Sequence, residues 1–183
     1  MSKEVEGGQY QESGGPRKLS PELESKATAL EEVYLEILLK RKELGRKTSG
    51  LEDDVFETEL GLFGSIRLEE CIYLMPHFNF PDDGKYNVLD LGSGTARLIL
   101  FLAILKPNLE KLIGIEGDKN LHAMSLEALQ KAEELTLVAQ KQVELLKGNF
   151  FDSKFSKVIN SSDRIFYYLS SSHEEDEEKI TDL

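Results

Sequence analysis

The chain has 183 residues, of which 40% are apolar, which is enough to bury one core. This length and composition indicate a single soluble domain with an appendage and not two full domains. Its formal net charge of −12 would repel a nucleic-acid backbone unless a local basic patch offset it. One cysteine and three scattered histidines argue against an internal disulfide and a metal site, and no apolar run is long enough to cross a bilayer. The first fifteen residues contain no apolar export segment, so we expect an intracellular protein, in the nucleus or cytoplasm, that does not act at a membrane.

The N-terminal part of the chain divides into a tail and a helix. Residues 1–20 are rich in Gly, Ser, Gln and charge, and we expect them to be a disordered tail. Residues 21–50 are predicted to contain an amphipathic helix, because Ser20 suits the N-cap, Pro21 suits the first helical position and Gly45 suits the end. The apolar residues at helical spacing are Leu23, Ala27, Leu30, Tyr34, Ile37 and Leu38. Such a stripe packs on its own domain more often than on a partner.

A basic segment closes this helix. It contains Lys40, Arg41, Lys42, Arg46 and Lys47. The favoured interpretation is that these cations complement the dipole at the helix C-terminus. The alternative is contact with nucleic acid or a nucleosome, and it is the only route to nucleic-acid binding that the sequence offers.

Residues 51–183 are predicted to form the main domain. A polar loop leads to a short helix ending at Pro76, which places Cys71 in the core as an inert residue. Strands and helices then alternate: strands at 87–91, 111–116, 143–146 and 163–169, and helices at 96–105 and 119–140. This alternation predicts an α/β fold with a Rossmann-like, doubly wound parallel sheet that binds its ligand at the carboxyl ends of the strands.

The first two strand ends carry the residues typical of a nucleotide site. Gly92 and Gly94 permit a tight turn and close approach of a ligand, and Ala96 is small enough for the next helix to lie on the sheet. Glu116 closes the second strand, where a carboxylate can accept both hydroxyls of a ribose, and its side chain should face the ligand pocket. Asp90 would repel a pyrophosphate but suits the ammonium and sulfonium of S-adenosylmethionine, which favours this cofactor over NAD.

The third strand end offers two further candidates. Asn149 has a side-chain amide that can bond an adenine edge, and the ring of Phe150 can lie against the base. The alternative is that strands of any parallel α/β domain end in Gly, Asp and Asn because turns favour those residues.

The segments YNVLDLGSGTARLILFLA, LIGIEGD and VELLKGNFFD together resemble the successive motifs of the class I S-adenosylmethionine-dependent methyltransferases. A narrower resemblance is to the disruptor-of-telomeric-silencing (Dot-type) histone-lysine methyltransferases, through ELGLFGSIRLEE, the Gly148-Asn149-Phe150 triplet and the acid-rich C-terminal segment. The resemblance implies the class I methyltransferase fold with added N-terminal helices, S-adenosylmethionine as cofactor and a protein acceptor such as a histone or nucleosome. It also implies that 51–183 is a methyltransferase-like domain.

The sequence departs from that family at three places. Gly64-Ser65 stands where the family has Gly-Glu, Asn149 replaces an aspartate, and Tyr168 stands where the family has an asparagine. Tyr168 and Ser170 lie where an acceptor should arrive and are the candidate catalytic residues, although a polar strand end is more often a solvated turn.

The C-terminal strands of the class are expected to be missing, because only 14 residues follow Leu169. Two hypotheses follow from these features. The chain is either a protein-lysine methyltransferase or a non-catalytic module, or truncated fragment, derived from one.

Overall fold

The computed structural model describes residues 19–43, 55–58, 61–64, 66–78, 80 and 85–167. The helices are α1 (Pro21–Glu43), α2 (Leu68–Leu74), α3 (Arg97–Leu105), α4 (Lys119–Glu134) and α5 (Ser156–Asn160). The strands are β1 (Val55–Thr58), β2 (Gly61–Gly64), β3 (Asn87–Leu91), β4 (Lys111–Glu116), β5 (Val143–Lys147) and β6 (Arg164–Tyr167). Short 3-10 turns follow α2 (Met75–Phe78) and precede α5 (Ser153–Phe155).

The main sheet has four parallel strands in the order β5-β4-β3-β6. Two strands follow β3 on one side, and the chain then crosses back to place β6 on the other side of β3. The strand order therefore reverses at β3, which is where open parallel sheets bind ligands outside the carboxyl ends of their strands. The predicted Rossmann-like parallel fold is confirmed within the described residues.

Helices cover both faces of this sheet. One face carries Val88, Leu112 and Val143 and packs against α3 and α4, and α1 packs on these two helices. The opposite face carries Leu89 and Ile113, among others, and packs against Phe155 and Ile159 from the α5 region. Because side chains alternate along a strand, a parallel sheet covered on both faces reads as a continuous apolar run.

The N-terminal helix belongs to the main core. Ala27, Leu30, Tyr34 and Ile37 of α1 are buried against α3 and α4, so the prediction that the apolar stripe packs on the domain is confirmed. A salt bridge of 2.5 Å between Glu36 and Lys131 adds a polar link from α1 to α4. Helix α1 is therefore part of the main domain, packed on α3 and α4.

The bounds of β3 and β4 agree with the prediction, whereas the end of α4 does not. Helix α4 ends at Glu134 and not near Gln140, because Thr136 adopts a left-handed conformation with φ of 55°. The Leu137 N–H then bonds the Ala132 carbonyl at 2.8 Å, which is the arrangement that usually places glycine after a helix. The antiparallel hairpin of β1 and β2 was not predicted at all.

Candidate functional site

The loop between β3 and α3 turns tightly at three residues. Gly92 and Gly94 have φ angles of 76° and 56°, which favour glycine. Ala96 has a φ of 62° and is fully buried, so it takes a left-handed conformation in which its Cβ is unfavourable. This explains why α3 begins at Arg97 and not at Ala96 as predicted.

Most backbone N–H groups of this loop donate within the protein. The Gly92 and Ser93 N–H groups both donate to the Ile115 carbonyl, at 2.9 and 3.0 Å. The Ala96 N–H donates to the Ser93 carbonyl at 2.7 Å. The Gly94 N–H donates to Oε2 of Glu116 at 2.7 Å. A phosphate-binding loop needs such groups free to point at the anion, so these four are not available to a pyrophosphate.

The Glu116 side chain links the loop after β3 to the loop after β4. Its Oε1 accepts the Asp118 N–H at 2.6 Å, while its Oε2 holds the Gly94 N–H. Burial raises the pKa of this carboxyl although these hydrogen bonds oppose the rise. Only 5% of the Glu116 residue is exposed, and its role in ribose binding stays a prediction. Each carboxylate oxygen nevertheless has a second acceptor site, so a hydroxyl could still bond there.

Asp90 lies beside Glu116 and is buried, with 8% of its surface exposed. No donor from the described part of the chain reaches its carboxylate. Burial, and to a lesser degree the Glu116 charge, raises the pKa of Asp90 to about 7. A carboxylate without donors would be stabilised by a cation placed next to it.

A glycine that the motif does not include makes room for the loop. Gly114 pairs with Asp90 across β3 and β4. A Cβ at Gly114 would lie 2.7 Å from Oγ of Ser93 and 2.9 Å from its Cβ. Sequence reasoning missed this residue, although a lone glycine inside an apolar strand often marks close approach of another chain segment.

The third strand end contains a local turn at Asn149 and a pair of neighbouring rings at Phe150 and Phe151. Oδ1 of Asn149 accepts the Phe151 N–H at 3.0 Å, which forms a local turn and occupies the side-chain oxygen. The ring of Phe150 packs against the second-face core and lies 4.5 Å from the Phe151 ring. The roles of these two residues in adenine binding remain predictions.

Helix α1 also reaches the loop, which sequence reasoning missed. The Tyr34 hydroxyl donates to the Thr95 carbonyl at 2.9 Å. The Arg97 guanidinium lies 2.6 Å from the Glu31 carboxylate and 4.8 Å from the centre of the Tyr34 ring. Burial raises the pKa of Tyr34 well above its usual range, so the hydroxyl remains a donor.

Some predicted residues lie outside the described part of the chain. These are Tyr168, Ser170, Arg46 and Lys47, while Lys40, Arg41 and Lys42 are described only as the backbone end of α1. Within the described ranges, no three His, Cys, Asp or Glu residues are grouped as a metal site would require. No helix there has both the length and the hydropathy needed to span a bilayer.

Comparison with known proteins gives a likeness of fold only. No protein-family model and no curated protein matches the chain. Among solved structures, the precorrin-6y C5,15-methyltransferase from Geobacter metallireducens GS-15 is similar, with a TM-score of 0.47 and 18% sequence identity. The match covers 60% of this chain and 52% of that protein, so it spans about half the length of the solved structure. A likeness this distant leaves ligand and activity to be argued from the site itself.

Proposed function

We propose that this chain binds S-adenosylmethionine at the carboxyl ends of β3 and β4 and acts as a methyltransferase. The observation that carries the proposal is the buried Asp90 carboxylate, which no donor of the described residues reaches, beside a loop that uses most of its own N–H groups. A buried carboxylate suits a sulfonium or ammonium, and a loop with few free donors does not suit a pyrophosphate. The site therefore fits a cationic adenosyl ligand better than it fits NAD.

The residues that would hold this cofactor follow from the same arrangement. Asp90 would neutralise its positive charge, Gly92 and Gly94 would allow close approach, and Glu116 would accept ribose hydroxyls on its remaining lone pairs. Asn149 and Phe150 would border the adenine. When bound, the cofactor supplies a methyl group on a sulfonium that is already activated. The protein's part is to position the two reactants and exclude water.

The methyl acceptor that we propose is a protein lysine, and the narrower candidate is a histone or nucleosome. The first support for this finer proposal is the sequence resemblance to the Dot-type enzymes. An acidic domain with a formal net charge of −12 for the whole chain would attract a basic protein tail. We place the protein in the nucleus or cytoplasm on the same grounds.

One observation favours a second candidate function, a non-catalytic module derived from a methyltransferase. Both oxygens of Glu116 already hold backbone N–H groups, so this carboxylate has a structural role whether or not a ribose binds. Such a module would keep the fold and bind partners without transferring a methyl group.

A binding titration with matched variants, followed by an activity assay, tests the proposal. Asp90→Asn should weaken S-adenosylmethionine binding roughly tenfold to a hundredfold, because it removes the carboxylate that faces the cation. Asp163→Asn is the control, since Asp163 is exposed and accepts the Asn87 N–H at the opposite end of β3. Equal affinity in both variants would place the ligand elsewhere.

Methyl transfer to histones and nucleosomes, measured with the same protein, separates the two candidate functions. Transfer that Asp90→Asn abolishes and Asp163→Asn preserves would support the enzyme. Tight cofactor binding without transfer to any protein acceptor would favour the non-catalytic module.

A further inference from the structure

Two contacts from helix α1 hold the glycine loop on either side of its left-handed alanine. On one side, Thr95 accepts the buried hydrogen bond from Tyr34 at 2.9 Å. On the other side, Arg97 pairs with Glu31 at 2.6 Å and stacks on the Tyr34 ring. Ala96 lies between them with a φ of 62°.

We call these two contacts, Tyr34 with Thr95 and Glu31 with Arg97, the clamp. Glu31 and Tyr34 are three residues apart on α1, so they share one face of the helix. Tyr34 is 2% exposed, so water competes little with its bond to Thr95, whereas the contact between Arg97 and Glu31 is only partly buried. Glu31 also accepts the Leu68 N–H at 3.2 Å, which fixes its carboxylate against the start of α2.

The loop needs support at this point. A left-handed conformation is unfavourable for any residue with a Cβ and persists only where the surroundings determine it. The loop's own bonds to Ile115 and Glu116 hold its first half, at Gly92 and Gly94. The contacts to α1 hold the second half.

The geometry points to Tyr34 and Glu31 as positioning residues that keep the loop in its ligand-binding conformation. This inference rests on the proposed function for its effect on cofactor affinity. It makes α1 part of the binding site, although neither residue needs to touch the ligand. Weakening the clamp should release Ala96 from its left-handed conformation and move Gly94 away from Glu116.

The test compares three full-length variants. Tyr34→Phe removes the hydroxyl and keeps the ring, and Glu31→Gln removes the charge that pairs with Arg97. Glu36→Gln is the control, because Glu36 lies on the same helix and pairs with Lys131 in the last turn of α4. The measurements are calorimetric affinity for S-adenosylhomocysteine, hydrogen exchange of the amides in residues 92–98 and the thermal midpoint.

Tyr34→Phe and Glu31→Gln should each weaken S-adenosylhomocysteine binding roughly threefold to tenfold, the range for one lost hydrogen bond. The loop amides should exchange several times faster in these two variants, and Glu36→Gln should change neither quantity. A purely structural role of α1 would instead lower the thermal midpoint without singling out the loop.

A rescue variant sharpens the test. Glycine adopts a φ of 62° without penalty, so adding Ala96→Gly to Tyr34→Phe should recover part of the lost affinity. Equal affinity and equal loop exchange in Tyr34→Phe and Glu36→Gln would overturn the inference. If the wild-type chain binds no adenosyl ligand, the proposed function fails. The positioning role of Tyr34 and Glu31 is then tested by hydrogen exchange of the loop alone. Faster exchange in Tyr34→Phe than in the wild type supports that role, and equal exchange refutes it.

Discussion

Replacing Asp90 by asparagine should make the ligand-free protein more stable above neutral pH. The pKa of Asp90 rises from its ordinary value of 3.8 to about 7 on folding, mainly because the carboxyl is buried. Folding therefore favours the protonated carboxyl. The contribution of this group to the free energy of unfolding is fully present below pH 3.8 and is lost as the pH rises towards 7. At about 1.4 kcal/mol per pH unit, the loss amounts to about 4 kcal/mol as an upper bound.

Asparagine carries no charge, so the Asp90→Asn protein avoids this loss. The amide is itself polar and buried, which offsets part of the gain. We therefore expect Asp90→Asn to raise the free energy of unfolding by about 2 kcal/mol at pH 8 and by almost nothing at pH 4.

Urea denaturation of the wild-type, Asp90→Asn and Asp163→Asn proteins at both pH values measures this difference directly. Asp163→Asn should show no such pH-dependent gain. If Asp90→Asn is no more stable relative to wild type at pH 8 than at pH 4, then Asp90 does not carry a buried charge and the electrostatic reasoning fails.

Four further predictions concern the same site and its core. Glu116→Ala should lower the free energy of unfolding by about 2 kcal/mol in urea denaturation, because two backbone N–H groups lose their acceptor; an unchanged midpoint would contradict this. Gly114→Ala should lower the free energy of unfolding by about 1–3 kcal/mol in the same assay, since its Cβ would lie under 3 Å from Ser93. Adding Ser93→Gly should restore much of that free energy. Affinity for S-adenosylmethionine should increase from pH 6 to pH 8 in calorimetry as Asp90 ionises, and a flat profile would argue against a role for that carboxylate. Cys71 should react with a thiol reagent only when the protein unfolds, because it is buried and its pKa rises to about 12; fast labelling of the native protein would contradict the fold.

The sequence predicted those parts of the fold that depend on local pattern. Strands β3 and β4 are short apolar runs bounded by polar residues, so their limits were correct. The end of α4 was missed because Thr136 takes the left-handed position that glycine usually fills, and threonine gives no sign of it. The hairpin of β1 and β2 was missed because its four-residue strands have little pattern beside the segment that resembles a family motif.

The candidate site was located from sequence, but its internal bonding was not. Asp90 and Glu116 are at the strand ends where the motif placed them. Their burial could not be predicted, because it depends on packing between segments that are distant in the sequence. The contact of Tyr34 with Thr95 joins residues 61 positions apart and has no local pattern that would reveal it.

A calorimetric titration of the 183-residue chain with S-adenosylmethionine and, separately, with NAD at pH 8 tests the central claim most directly. We expect one S-adenosylmethionine bound per chain and weaker or no binding of NAD, because Asp90 favours a cation and the loop has few free donors for a pyrophosphate. Tighter binding of NAD than of S-adenosylmethionine would contradict that claim.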